Sequence, residues 1–253
     1  MDLGLRGRAF LVTAATRGLG FAAAQQLTAE GARVVVTGRT QESVDKAVVA
    51  LGGTEVALGL VADNGDPGTA RMLVDACVER FGQLDGVLIS AGGPPAGRVA
   101  AIEDAQWRSS FESVFLGAIR LARAAAEVLV EGGVIGFVLS GTVRQPALDL
   151  AVSNGLRPGL AMAAKGLADE LGPRGVRVVG LLPNQIDTER VQELDSLTGD
   201  RDATRARNEA VIPLRRYGRP EEFGRVATFL LSPAASYLTG IMVPVDGGAL
   251  RGL

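Results

Sequence analysis

The residues with the most chemical meaning lie early in the chain, where Thr13-Ala14-Ala15-Thr16-Arg17-Gly18-Leu19-Gly20 follows a short apolar run. A turn of this kind presents backbone N–H groups at the start of a helix, where the dipole and the unpaired amides attract phosphate. Gly18 and Gly20 let the backbone approach a pyrophosphate and let the helix pack on a sheet, which bulkier side chains block. The second apolar run ends Thr37-Gly38-Arg39-Thr40. An acidic residue there would hold the free ribose 2'-hydroxyl of NAD. The Arg39 guanidinium suits a 2'-phosphate instead, and Arg17 adds a second positive charge for the same group. NADP(H) is therefore the expected dinucleotide, with NADPH preferred over NADH.

Positioning such a turn takes alternating strands and helices. Apolar runs rich in β-branched residues read as strands at 9–13, 33–37, 56–62, 86–90, 134–140, 176–182 and 241–245. Most are apolar at consecutive positions, as strands covered on both faces are. Helices are expected at 18–30, 41–51, 69–81, 102–130, 156–171 and 221–231, with Ser232-Pro233 ending the last. The pattern is α/β: a Rossmann-type, doubly wound parallel seven-stranded sheet with helices on both faces. No Pro/Ser-rich or single-charge stretch divides the chain, so residues 1–253 read as one dinucleotide-binding domain. Residues 187–216 break the alternation with polar, weakly periodic sequence, and form either a substrate-covering lid or a solvated surface excursion.

The glycine turn resembles the T-G-x-x-x-G-x-G signature of the short-chain dehydrogenase/reductase family, with Ala14 at the first glycine. Other marks of that family follow in order. Asp63 follows the third strand directly after Ala62, Ser90-Ala91-Gly92 resembles its N-A-G motif, and Pro183-Asn184-Gln185-Ile186-Asp187-Thr188 resembles its P-G-x-I-x-T segment. Gly218-Arg219-Pro220-Glu221-Glu222 through Val245-Asp246-Gly247-Gly248 is similar to its C-terminal part. The resemblance implies a cofactor site made of Thr13, Ala15, Thr16, Arg17, Gly18, Leu19, Gly20, Arg39, Ala62, Asp63, Ser90, Ala91, Gly92, Arg157, Pro183, Ile186 and Thr188. Within it Asp63 would hold the adenine and the 183–188 segment would meet the nicotinamide.

The same resemblance implies hydride exchange between nicotinamide and a carbonyl, with a Y-x-x-x-K pair, a serine and an asparagine handling the proton. Ser140 matches the serine. Ser153 stands at the tyrosine and Arg157 at the lysine, in Ser153-Asn154-Gly155-Leu156-Arg157, and Val114 stands at the asparagine. An aliphatic hydroxyl is a far poorer acid than a phenol, and a guanidinium does not give up its proton. Arg157 is left to hold the ribose hydroxyls or to stabilise an oxyanion, with Ser140 donating a second hydrogen bond. The expected catalytic residues are thus Ser140, Ser153 and Arg157. Gly92-Gly93-Pro94-Pro95 and Arg144-Gln145-Pro146 resemble a subgroup near the bacterial 3-oxoacyl-[acyl-carrier-protein] reductases that carries serine in place of the tyrosine. The implied activity is an NADP(H)-dependent oxidoreductase interconverting a carbonyl and an alcohol, 3-oxoacyl-like compounds included. The replaced residues leave a second reading open, a weakly active or inactive NADP(H)-binding sensor or partner subunit.

Composition narrows the remaining classes. The chain has no histidine, which removes histidine triads and imidazole metal sites, and no metal is expected. With 26 basic and 28 acidic residues the formal charge is -2, leaving no electrostatic footprint for nucleic acid and favouring a small-molecule substrate. Arg98, Arg144 and Arg157 at the carboxyl side of the sheet would suit an anionic substrate, unless the first two are ordinary solvated side chains. The single cysteine, Cys77, reads as helix filler, and Trp107 and Phe111, four apart, as residues packing on a neighbour. Neither a signal peptide nor an apolar membrane span is legible, so no membrane partner and a cytoplasmic location are expected. By resemblance, the helices at 102–130 and 156–171 imply a homotetramer or homodimer.

Overall fold

The apolar runs pair edge to edge in the computed structural model, which describes residues 2–197 and 199–252. Among the described residues, β1 (Ala9–Val12), β2 (Arg33–Gly38), β3 (Ala57–Val61), β4 (Gly86–Ile89), β5 (Val134–Val138), β6 (Arg177–Pro183) and β7 (Ile241–Val245) form one parallel sheet. Its order, β3-β2-β1-β4-β5-β6-β7, reverses between β1 and β4, which opens a crevice at the carboxyl ends of the strands.

Strand residues alternate between two cores. Ala9 and Leu11 of β1 join one, Phe10 and Val12 the other, so a run with no polar position is what two covered faces require. The first core is closed by α3 (Thr69–Phe81), α5 (Gly117–Val128) and α6 (Ala151–Leu171), through Leu73, Leu121 and Leu160. The second is closed by α1 (Gly18–Ala29), α2 (Gln41–Ala50) and α9 (Pro220–Leu231), through Leu27, Val48 and Phe223. Burying one such side chain contributes roughly 1.5–3 kcal/mol.

Three departures from the sequence expectation bear on the site. The helix expected at 102–130 is divided into α4 (Asp104–Ser110), a π-helical run Phe111–Leu116, and α5. Such runs are rare and gather at functional sites. β5 ends at Val138, so Ser140 is not a strand residue but the N-cap of the short turn Gly141–Val143. α6 begins at Ala151 rather than 156, which puts Ser153 and Arg157 one turn apart on the same helix. The irregular stretch 187–216 contains α7 (Glu189–Ser196) and α8 (Arg201–Val211), capped by Thr188 and Asp200, whose side chains accept from Val191 N and Ala203 N.

Candidate active site

The ends of β1, β2 and β4 lie level because Val12 pairs with both Val36 and Leu88. Thr13 Oγ1 donates to the Ser90 carbonyl at 2.7 Å and accepts from the Ser90 amide at 2.9 Å, which ties the first turn to the fourth strand. The Ala15 amide donates to Thr37 O at 2.9 Å and the Ala14 amide to Thr37 Oγ1 at 3.0 Å. Ala14 has a φ of 49° and Gly18 of 59°, and a Cβ on Gly20 would lie 2.6 Å from the Ala14 carbonyl oxygen. The tight turn thus survives the replacement of its first glycine.

No side chain caps α1 at its N-cap residue Arg17, so its first amides are free to bind an anion. Thr16 Cγ2 packs over Gly38, which places Arg39 beside the turn, exposed and without a side-chain partner among the described residues. Arg17 instead forms an ion pair with Glu189 at the start of α7, and Leu19 packs on the second core. Ala62 N donates to Gly38 O at 2.9 Å, and Asp63 Oδ1 accepts from Gly65 N at 2.8 Å. Asp63, Ala91 and Val114 line a cleft of about 400 Å³ together with Gly93 and Pro94.

The other half of the crevice is built on Ser140. Its Oγ accepts from the Thr142 amide at 3.2 Å, which leaves the hydroxyl proton to donate elsewhere. Thr142 Oγ1 and Ser153 Oγ lie 2.9 Å apart, both residues buried. Arg157, 7% exposed, donates from Nη1 to Val138 O at 2.8 Å and from Nη2 to Gly92 O at 3.1 Å. Burial lowers its pKa to about 10, so it stays charged at neutral pH. Ser140 and Thr142 form part of the wall of a pocket of about 240 Å³, completed by Asn184 and Gln185 after β6, Asn208, Val211 and Ile212 at the end of α8, and Ala249 and Leu250.

The 187–216 segment is tied down on both sides. Arg190 Nη2 donates to Pro94 O at 2.6 Å, and the Ile186 and Gly218 backbones form a bridge. The Asp187 carboxyl accepts from Gln192 and Arg205, each at 2.8 Å, and these bonds, the Gln192 one foremost, hold it below the usual carboxylate range. Tyr217, the one buried phenol among the described residues, already donates to Asp195 Oδ2 at 2.9 Å. Burial, ahead of its polar neighbours, pushes its pKa up to about 12.

Residues 13–249 match the family described as enoyl-(acyl carrier protein) reductase. Tropinone reductase-like 3 of Erythroxylum coca is 33% identical, over 96% of this chain and 93% of that protein. The chain superposes with a TM-score of 0.93 and 30% identity on the short-chain dehydrogenase/reductase, glucose/ribitol dehydrogenase, of Brucella melitensis, covering 100% of both chains. L-Sorbose reductase of Gluconobacter frateurii, solved with NADPH and L-sorbose, superposes with a TM-score of 0.90 at 27% identity, again over 100% of both. The chain is an oxidoreductase of the short-chain dehydrogenase/reductase family.

Three positions that the family resemblance places at the proton-handling residues are found as follows. Val114 sits in the π-helical run, and its alkyl side chain has no exchangeable proton. Ser153 is bonded to Thr142, Arg157 to two backbone carbonyls, and neither lines the Ser140 pocket. Pro183 closes β6 against Val245, while Ile186 and Thr188 are buried at the start of the segment that leads into α7. Each of the three arginines that would suit an anionic substrate has a partner within the protein. Arg98 pairs with Asp149 at 3.3 Å, Arg144 donates to Met242 O at 3.0 Å, Arg157 faces carbonyls, and none of the three lines the pocket. Sequence reasoning passed over Thr142, Asn208 and Glu189. A hydroxyl two residues after Ser140 was the one available signal for Thr142; the other two enter the site only through the fold of α7 and α8.

Proposed function

We propose that this protein is an NADP(H)-dependent oxidoreductase that interconverts a carbonyl compound and an alcohol. One observation carries the reading: the uncapped start of α1, beside Arg39, opens at the same end of the sheet as the pocket lined by Ser140 and Thr142. The residues fit a phosphorylated dinucleotide, because free amides suit its pyrophosphate and Arg39 its 2'-phosphate. The NADPH complex of the Gluconobacter relative supports that choice. Bound there, NADPH supplies hydride.

This chain's own residues then polarise the substrate. Ser140 donates its free hydroxyl proton in a hydrogen bond to the carbonyl oxygen, and Thr142, paired with Ser153, donates a second as charge builds on that oxygen. The oxygen takes its proton from water reaching the pocket, with Ser153 supporting the Thr142 hydroxyl from behind. Replacing the phenol by hydroxyls lowers the rate by on the order of 10²- to 10⁴-fold, which leaves a slow or specialised enzyme. Arg157 is a positioning residue that fixes the loop after β4 against β5. Residues 187–216 serve as the lid, a role supported by Asn208, Val211 and Ile212 in the pocket wall and by the Arg190 contact to Pro94. Met162 on α6 and Phe111 are exposed, which supports a homodimer or homotetramer, measurable by sedimentation.

The test follows NADPH absorbance with purified protein and a panel of ketones, 3-oxoacyl thioesters among them. Turnover by the parent and a fall of about 100-fold or more in Ser140→Ala are expected. The inward bonds of Ser153 and Arg157 favour one alternative, an NADP(H)-binding sensor or partner subunit. NADPH binding without turnover in the parent, with turnover appearing in Ser153→Tyr/Arg157→Lys, would establish that alternative.

A further inference from the structure

The Ser140 pocket is uncharged yet dense in hydrogen-bonding groups. Ser140, Thr142, Gln145, Asn184, Gln185 and Asn208 line it, and among the described residues no Asp, Glu, Lys or Arg does. The side chains of Gln145, Asn184 and Gln185 have no hydrogen-bond partner among the described residues. A carboxylate placed there would lose water with no cation to meet it. A plain hydrocarbon would leave the amides unmatched, and each unmet hydrogen bond weakens binding on the order of 10- to 100-fold.

Asn208 has a fixed orientation. Its Nδ2 donates to Tyr217 Oη at 2.8 Å and approaches Asp195 Oδ1 at 3.4 Å. The Tyr217 hydroxyl donates onward to Asp195 Oδ2 at 2.9 Å, so towards Asn208 the phenol oxygen can only accept. The nitrogen is therefore held at Tyr217 and Asp195, and Oδ1, with no partner among the described residues, is the amide atom left for the pocket. Asp195 and Tyr217 are positioning residues for this acceptor.

We infer that the pocket takes a neutral, polyhydroxylated carbonyl compound, and that Asn208 selects it by accepting a hydrogen bond from a substrate hydroxyl. The inference rests on the reading that Ser140 polarises a carbonyl, and the two can fail separately. Erythrulose, butanone and acetoacetate, matched in carbon count, are compared as NADPH-dependent substrates, and the non-reducible polyol erythritol is titrated into NADP-loaded protein by calorimetry. Erythrulose is expected to exceed both others in kcat/KM by about 30-fold. Asn208→Leu brings that preference to within about threefold, and Tyr217→Phe raises KM for erythrulose about tenfold while kcat moves less than twofold, a split that general loosening does not produce.

If butanone or acetoacetate is preferred, or the preference survives Asn208→Leu, the inference falls and hydride transfer stands. If no compound is reduced but erythritol binds in an Asn208-dependent manner, the polyol pocket stands and the oxidoreductase reading falls. Absence of both turnover and erythritol binding overturns the inference. Should Asn208→Leu fail to fold, the parent panel and Tyr217→Phe still decide it.

Discussion

Where Ala14 replaces a glycine, the first turn still takes its left-handed backbone and α1 still presents uncapped amides. Where the resemblance sets Ser153 and Arg157 at the positions of a tyrosine and a lysine, both side chains are bonded into the protein. The two halves of one crevice therefore respond differently to substitution. The backbone groups proposed to meet phosphates have positions set by strand register and by the Thr13–Ser90 and Ala15–Thr37 bonds, so a side chain can change without moving them. Proton transfer depends on the atoms of particular side chains. Changing them changes the chemistry even when the backbone stays in place.

The largest effect is expected where that contrast is sharpest. Arg157→Met leaves the Val138 and Gly92 carbonyls without their donor and should lower stability by about 2–4 kcal/mol, a fall of several degrees in Tm. Thermal unfolding that is unchanged, with kcat reduced, would instead make Arg157 a group that touches ligand. Next in size is Arg39→Ala, which should weaken NADPH on the order of 10- to 100-fold and leave NADH unaffected. Equal weakening of both nucleotides in calorimetry would mean that Arg39 does not read the 2'-phosphate.

Much of the cofactor half was legible in the sequence because its signals are local. A β-branched run, a small-residue turn and a helix start within residues 9–20 fix both the element and its chemistry. The seven strands were legible for the same reason, each carrying its own apolar run. The π-helical run Phe111–Leu116 was not, since its widened turn leaves the apolar spacing of the flanking helices almost unaltered. α7 and α8 hid behind polar composition; their evidence lay in caps, with Thr188 and Asp200 each followed by an acidic residue in the first turn. Thr142 and Asn208 share a pocket across 66 residues of sequence, a juxtaposition only the packed sheet and lid create.

The turn itself offers a smaller test. Alanine with a positive φ costs about 1–2 kcal/mol relative to its preferred conformations, while glycine loses roughly 0.5–1 kcal/mol more chain entropy on folding. Ala14→Gly should therefore stabilise the protein by about 0.5 kcal/mol in denaturant unfolding and leave NADPH affinity within about twofold. A loss of stability would show that the left-handed turn is unstrained, and that the backbone half has adapted to alanine rather than tolerated it.

The smallest effect concerns the seam between the halves. Arg17 pairs with Glu189, both side chains more than half exposed, at 58% and 61%, so the bond is worth on the order of 0–1 kcal/mol. A bound 2'-phosphate would compete with Glu189 for the same guanidinium. Glu189→Gln should tighten NADPH by about two- to threefold at low salt, and the gain should shrink as ionic strength rises because an exposed charge is screened within about 10 Å at 0.1 M. NADH, lacking the phosphate, should bind Glu189→Gln and parent alike. A gain shared by both nucleotides would place the effect in lid opening instead, making Glu189 a fastener of α7 rather than a rival for the arginine.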